Sequence, residues 1–494
     1  MRIKAAVLAA ISIAAAGALL DGCKTIDRAR AAQAAQRDAA LNVRTSVRER
    51  VNLTGMDLSG LVDFAVTNRP DVVQAALAVM DAKLALKQIA GERALDVGMS
   101  GGFGQSTSNT DSHFSWREHR GKFSGAVSAE LLIYDFGRID AKEAAARENL
   151  VAAQLEYANL GWTVFNEVSA AYFTLLEDDA LLEVARTNLA ACVNHLSQAE
   201  KLFEAQEANK LDVLKARLDV SDARLKEISA SNTVVAAGAE LLKVLGLDAE
   251  ISSRDEIIPA RPDALSYSEI VYMPSSYSSI DAIVKARETS PSLAVLRAKL
   301  RAASDDVDYA IADLMPSLSL SGTFTFTDPT WNFSWAANFV QSLFNGFRKT
   351  KAVDRAVIAM KTARSRLDAA EQALSLNLVL AITARDNARE SLETAKAQVE
   401  QARENMDLVT QQFRLGEASR IDFTDAVNEL ASAHGARIKA FYTGQIAEAK
   451  LIALIGADDA SHEDGASRME RTAGGETEGT AAEGEAQQVE EVQE

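Results

Sequence analysis

The chain has 494 residues, 48% of them hydrophobic, enough for a large core or several domains. Aromatics make up only 6%, while Ala, Leu, Glu, Lys, Arg and Gln abound, which is the composition of long helices. The formal net charge is −18, but residues 457–494 hold twelve Asp and Glu against two Arg, and the remaining −8 gives no reason to expect a nucleic-acid partner.

Arg2 and Lys4 precede an apolar run from Ala5 to Leu20, the n-region and h-region of a secretory signal over 1–22. Leu20-Asp21-Gly22-Cys23 then resembles a bacterial lipoprotein cleavage box, which would make Cys23 the lipidated residue. Asp21 stands where a small or apolar residue is usual, and ordinary cleavage leaving a free thiol is the other reading. A disulfide between Cys23 and Cys192 would tie a terminus to a helix interior and is not expected. Residues 23–60 read as an N-terminal linker.

From here the chain states one plan twice. A helix over 70–94 begins at a proline, which suits a first turn. Strands follow over 95–106 and 122–134, separated by a polar loop, "TSNTDSHFSWREHRG", whose His113 and His119 read as solvated. No proline falls between 138 and 246, so one helix of about 67 residues runs from Arg138 to about Glu204, roughly 100 Å long. After a break comes a medium helix over 212–246. An offset of 210 pairs Arg138 with Arg348, Phe203 with Phe413, Asp212 with Asp422 and Gly246 with Gly456; upstream, an offset of 221 pairs Pro70 with Pro291 and Phe103 with Phe324. Repeat 1 thus spans 61–246 and repeat 2 spans 286–456, joined by a proline- and serine-bearing linker over 247–285. The Gly-, Ala- and Glu-rich tail over 457–494 reads as disordered.

In repeat 2 the strands read as 316–327 and 331–343. "PSLSLSGTFTFT" alternates apolar with Ser and Thr, and Trp331, Phe333, Trp335, Ala337, Phe339 and Leu343 share one face of the next strand. Two hairpins make no stable sheet alone, but several copies closing a barrel would remove every edge. Twelve tilted residues rise about 28 Å, close to the apolar height of an outer-membrane barrel. The strand's partners are therefore expected to include strands of other copies. Tyr157, Leu160, Val164, Val168, Leu175 and Leu182, with Leu367, Leu374 and Leu378 in the second repeat, form helical seams for a tube beneath that barrel.

Repeat plan, hairpins and the stretches "NRPDVVQAALAVMDAKLALKQIAGE", "LMPSLSLSGTFTF", "LFNGFRKTKA" and "RLGEASRIDFTDAVNEL" together resemble the TolC-like outer-membrane efflux protein family, over roughly residues 55–457. The resemblance implies a mainly α fold with membrane β: a homotrimer giving four strands per subunit to one 12-stranded barrel, continued by a periplasmic α-helical barrel. It implies the exit duct of a tripartite system in the outer membrane, coupled to a periplasmic adaptor (membrane fusion) protein and an inner-membrane transporter. No enzyme activity, cofactor or metal goes with it.

It also implies roles at the hairpin tips. Asp422 and Asp425 match aspartates that narrow the periplasmic entrance, and Asp212 matches one used between neighbouring hairpins. Ala205, Gln206 and Glu207, with Leu415, Gly416 and Glu417, are the expected adaptor contacts. From the residues alone, Asp422 reads equally as an N-cap with Asp425 in the first turn. Gln206 stands where the second tip has Gly416, which leaves the first turn's geometry open. Cys192 and His195, at i, i+3, read as packing, since two ligands are too few for a structural zinc. A structural periplasmic coiled-coil lipoprotein is the alternative function, though it leaves the hairpins unexplained; an envelope enzyme is a further one.

Overall fold

The computed structural model describes residues 24–34, 56–104, 122–206, 209–247, 279–327, 330–415 and 417–456. The signal run, Cys23, the loop 107–121, most of the central linker and the acidic tail lie outside them. The chain divides into two units, Met1–Asn52 and Leu53–Glu494. The described residues of the first form an exposed helix, α1, over 24–34.

The second unit opens with α2 (Leu58–Asn68), capped by Asp57, whose carboxylate accepts from the Gly60 N–H at 2.9 Å and the Ser59 hydroxyl at 2.9 Å. Then follow α3 (Pro70–Gly91), β1 (Asp96–Gly104), β2 (Lys122–Tyr134), α4 (Arg138–Glu204) and α5 (Lys210–Val244). After the linker come α6 (Ser279–Thr289), α7 (Pro291–Ala312), β3 (Ser317–Thr327), β4 (Thr330–Val340), α8 (Arg348–Arg414) and α9 (Arg420–Ile455). Among the described residues no helix is long and apolar enough to cross a membrane.

Helix α4 has the expected bounds, and α8 is its match at 67 residues. Helix α5 starts two residues earlier than its pattern suggests, and α3 stops at Gly91 rather than 94. Strand β4 stops at Val340, so Leu343, 90% exposed, belongs to the following turn and not to the strand face. Residue type alone extends the alternation to 343, but the backbone must reverse into α8. It does so through Gly346 and Phe347, with φ of 67° and 63°. The first repeat makes the same turn with the residue order swapped, Phe136 at 56° and Gly137 at 82°. Two consecutive left-handed residues are costly for a phenylalanine, and the glycine beside it takes half of that geometry without penalty.

The four strands form one antiparallel sheet in the order β1-β2-β3-β4. Strand β3 therefore has both neighbours within the chain, β2 on one side and β4 on the other. This corrects the expectation that its partners include strands of other copies; among the described residues the strands with one neighbour are β1 and β4. The hairpins share a register: Phe103 pairs with Phe123 and Phe324 with Phe333, pairs related by offsets of 221 and 210.

The helices order themselves around α4. Towards the sheet, α3 packs on α4, α4 on α7 and α7 on α8; beyond, α5 packs on α4, α4 on α9 and α9 on α8. The apolar seam buries Leu367, Leu374, Leu378 and Ala381 of α8 with Leu451 and Ile455 of α9 and Leu293 of α7.

The shorter helices meet end to end through glycine. Gly246 (φ 78°) and Gly456 (φ 66°) end α5 and α9 in the left-handed conformation. A Cβ on Gly246 would stand 3.2 Å from Arg69 Cα, and one on Gly456 would stand 2.7 Å from Pro291 Cδ. Only glycine satisfies both the φ and the space. Arg69 fastens the first junction, donating to Asp71 at 2.6 Å and Glu167 at 2.6 Å, while the Thr289 hydroxyl donates to the Ile455 carbonyl at 2.7 Å in the second.

Candidate functional site: a two-faced sheet and the hairpin tips

Opposed residues of a sheet share a face, so the registers assign every strand residue to one of two surfaces. One surface carries Val97, Met99, Val127, Leu131, Leu320, Phe324, Phe326, Trp331, Phe333, Trp335 and Phe339. The other carries Ser100, Ser124, Ser128, Ser321, Thr323, Thr325, Asn332, Ser334 and Asn338. Trp331, Phe333, Trp335 and Phe339 are 58%, 60%, 72% and 67% exposed, so among the described residues no helix covers the apolar surface over them. On the polar surface Asn338 donates to Ser321 Oγ at 2.9 Å. A bare aromatic surface backed by hydroxyls and amides is the reverse of what water selects. It fits a wall with hydrocarbon outside and water inside.

At the opposite ends of the long helices are the tips. In the second, Ser419 is the N-cap of α9, which moves Asp422 to the third helical position. The Ser419 N–H donates to the Asp422 carboxylate at 2.8 Å, and the Asp422 N–H donates to Ser419 Oγ at 3.2 Å, a reciprocal capping box. Hydrogen bonding from the Ser419 side chain, and then from its backbone N–H, holds the Asp422 carboxyl below its ordinary range, so it is ionised at neutral pH. Asp425, one turn on, is exposed like Asp422 and lies near the same helical face. The cap and the entrance role are compatible, since the bonded carboxylate remains fully charged and solvent-facing.

The first tip repeats the device more loosely. The Asn209 N–H donates to Asp212 at 3.4 Å, and half-buried Asp212 sits at the third position of α5. Gln206 takes φ 66° and supplies the left-handed residue of that turn without glycine. Ala205 and Gln206 are exposed, Leu415 is 74% exposed, and the Glu417 N–H donates to the Gln412 carbonyl at 2.9 Å. Glu207 and Gly416 lie outside the described residues, as does Cys23.

One feature of the tips escaped the sequence pattern. Buried His195 of α4 stacks on Phe423 of α9 with ring centres 5.1 Å apart and lies 5.7 Å from Phe413 of α8; those two phenylalanines are 5.3 Å apart. The cluster ties the second tip to α4, directly beside Asp422. Its three members come from three helices, so no local spacing announces it.

The geometry has close counterparts among known proteins. The outer membrane efflux protein family matches residues 61–247 and 282–457. The chain belongs to this family. Among relatives, the toluene efflux pump outer membrane protein TtgC of Pseudomonas putida is 24% identical over 65% of this chain and 66% of its own length. The pyoverdine export outer membrane protein OpmQ of Pseudomonas aeruginosa is 24% identical over 68% of each chain. The matched stretch thus spans about two thirds of these relatives. The Campylobacter jejuni CmeC outer membrane channel has the same fold, with a TM-score of 0.69 over 84% of this chain and 89% of that one, at 16% identity. Membership in the family places this chain in the outer membrane.

Proposed function

We propose that three copies of this chain close a 12-stranded barrel in the outer membrane and continue it as a helical tunnel, forming the exit duct of a tripartite efflux machine. The carrying observation is the sheet: one uncovered aromatic surface, one polar surface, and edge strands β1 and β4 with no second neighbour among the described residues. Lipid accepts such a surface only if no strand edge is left open, which requires closure by further copies. Purified protein added to a planar lipid bilayer is expected to give discrete channels; a protein that stays monomeric in detergent and conducts nothing would overturn the duct.

The tips meet the periplasmic adaptor through Ala205, Gln206 and Glu207 and through Leu415, Gly416 and Glu417, and the adaptor joins the duct to an inner-membrane transporter. Exposed Leu415 supports an apolar contact there. Cys23 carries the lipid anchor, testable by palmitate labelling of the wild type and its loss in Cys23→Ala. The relatives carry toluene and pyoverdine in their names at equal identity, so we assign a duct and leave cargo choice to the inner-membrane partner.

Three-fold symmetry gathers three copies each of Asp422 and Asp425 near one axis at the entrance, with Asp212 contributing between adjacent hairpins. Six carboxylates in a narrow mouth attract cations and repel one another. The double variant Asp422→Ala with Asp425→Ala is expected to raise single-channel conductance and weaken block by divalent cations. Unchanged conductance and block in an intact trimer would remove the gate.

A further inference from the structure

The two hairpins and their helices are related by the offsets 210 and 221, and so are most of the contacts within the chain. Packing of α3 on α4 recurs as α7 on α8, α4 on α5 as α8 on α9, and β1 on β2 as β3 on β4. Three contacts have no counterpart of comparable extent among the described residues: β2 on β3, α4 on α7, and α4 on α9. Applying the same offsets turns them into β4 on β1, α8 on α3, and α8 on α5. In each of these the partner's free edge belongs to the other end of the chain, so a single copy cannot make them.

We propose that a second copy of this chain occupies that edge in the register the offsets dictate, and that along the helices, away from the sheet end, the seam between copies is apolar where the seam within a copy is ionic. The inference rests on the duct reading and specifies its interface.

Three observations carry it. Within the chain, α4 and α7 are bridged by Glu148 with Arg301 at 2.7 Å and by Glu156 with Lys299, and at the sheet end Arg138 of α4 lies 3.7 Å from Asp313, just past α7. Shifted by the offsets, the first pair becomes Ile358 facing Met80 of the next copy, and the second becomes Arg366 facing Ala78, so both ion pairs vanish; the third becomes Arg348 facing Glu92 and keeps its opposite charges at the sheet end. Ile358 and Met80 are 63% and 58% exposed in the lone chain. Two large apolar side chains stand uncovered at the two positions that the internal seam would bring together.

The lower seam agrees. Within the chain, α9 packs on α4 at Gly435, where an added Cβ would lie 3.5 Å from Leu181. The shifted pair is Leu225 of one copy against Ser391 of the other, the same large-and-small fit with the sizes exchanged. Leu225 belongs to a stripe with Leu214, Leu218 and Ile228, at steps of four, seven and three residues along one helical face and 48–65% exposed. Of the corresponding α9 residues, Thr424, Asn428 and Gly435 are smaller or more polar, and Ile438 is unchanged. At the sheet, Glu130 pairs with Ser321, which places Val340 opposite Ser100 of the next copy.

Two experiments, read against the mass of the wild-type particle in detergent, test this. Met80→Arg and Ile358→Glu each set a charge against an apolar partner and are expected to lower the trimer fraction about tenfold or more, the scale of a charge left unpaired in an interface. The double variant transplants the internal ion pair and is expected to recover trimer to about the wild-type level. Because both side chains are exposed in one copy, neither variant removes a core contact of the protomer. In a Cys192→Ser background, Ser100→Cys with Val340→Cys is expected to give covalent trimers on oxidation, while the slipped pair Gly101→Cys with Val340→Cys stays uncrosslinked. A wild-type particle that is not trimeric would defeat the duct itself. A trimeric wild type in which the charge pair gives no rescue, or in which the slipped pair crosslinks instead, would overturn the register alone.

Discussion

The tips of the two hairpins share a plan and differ in what they touch. Both end a 67-residue helix, and both restart with an aspartate at the third helical position bonding back to the cap. Phe203 in the first is 44% exposed, whereas its equivalent Phe413 in the second lies against His195 and Phe423. Val213 in the first packs into a small cluster with Ala199 and Ala216. Equivalent residues were therefore free to diverge according to the neighbour each tip meets, which is α4 of the same chain for the second tip only. Identical residues such as Phe203 and Phe413 can meet different surroundings, while the matched glycines Gly246 and Gly456 keep one backbone geometry.

These glycines stand at the far ends of α5 and α9, and breaking them is expected to give the largest effects. Gly456→Ala forces a Cβ into the Pro291 ring and a non-glycine residue into φ 66°, at a cost of about 2–4 kcal/mol. Gly246→Ala meets a gentler approach to Arg69, and about 1–2 kcal/mol is expected. Chemical-denaturation midpoints should fall in that order; equal midpoints would mean that φ alone, and not the neighbouring proline, decides.

The tips allow a sharper test. Burying a phenylalanine fully is worth about 3–5 kcal/mol on truncation, and half-buried Phe413 should lose about 2 kcal/mol in Phe413→Ala. Phe203→Ala removes an exposed ring and should cost about 0.5 kcal/mol or less. Hydrogen exchange along α4 near His195 should quicken in the first variant alone. If both variants loosen α4 equally, the aromatic cluster does not distinguish the halves.

Much of this architecture is legible in residue order because its causes are local. Proline-free tracts, the prolines at 70 and 291, and the paired offsets specify the helices, and α4 ends where its sequence pattern does. Alternation in "SLSLSGTFTFT" reveals two faces, but alternation cannot name a neighbour, so the pairing of β3 with β2 needed coordinates. Strand β4 ends early because the double left-handed turn at Gly346 and Phe347 overrides an apolar pattern that runs on to Leu343. At the site, the spacing of Asp422 and Asp425 is visible in one motif. The His195 cluster is not, because it joins residues some 220 positions apart that only helix packing brings together.

The smallest expected effect concerns charge in the seam between α4 and α9. Glu177 and Asp178 of α4 are partly buried there, and desolvation raises both carboxyls above their ordinary values, with Lys439 of α9 pulling back. Their equivalents on α8 are Asn387 and Ala388, which carry no charge. A raised carboxyl binds its proton more tightly in the folded chain, so this contribution favours the fold at acid pH. It is lost as pH climbs from the ordinary carboxylate range through the raised value, and is constant above it. Glu177→Gln should therefore raise the thermal midpoint slightly at pH 7 and leave it unchanged near pH 4. A loss at pH 7 would show instead that attraction to Lys439 outweighs burial, and that the charged seam within a copy stabilises it where the uncharged seam between copies has no such term.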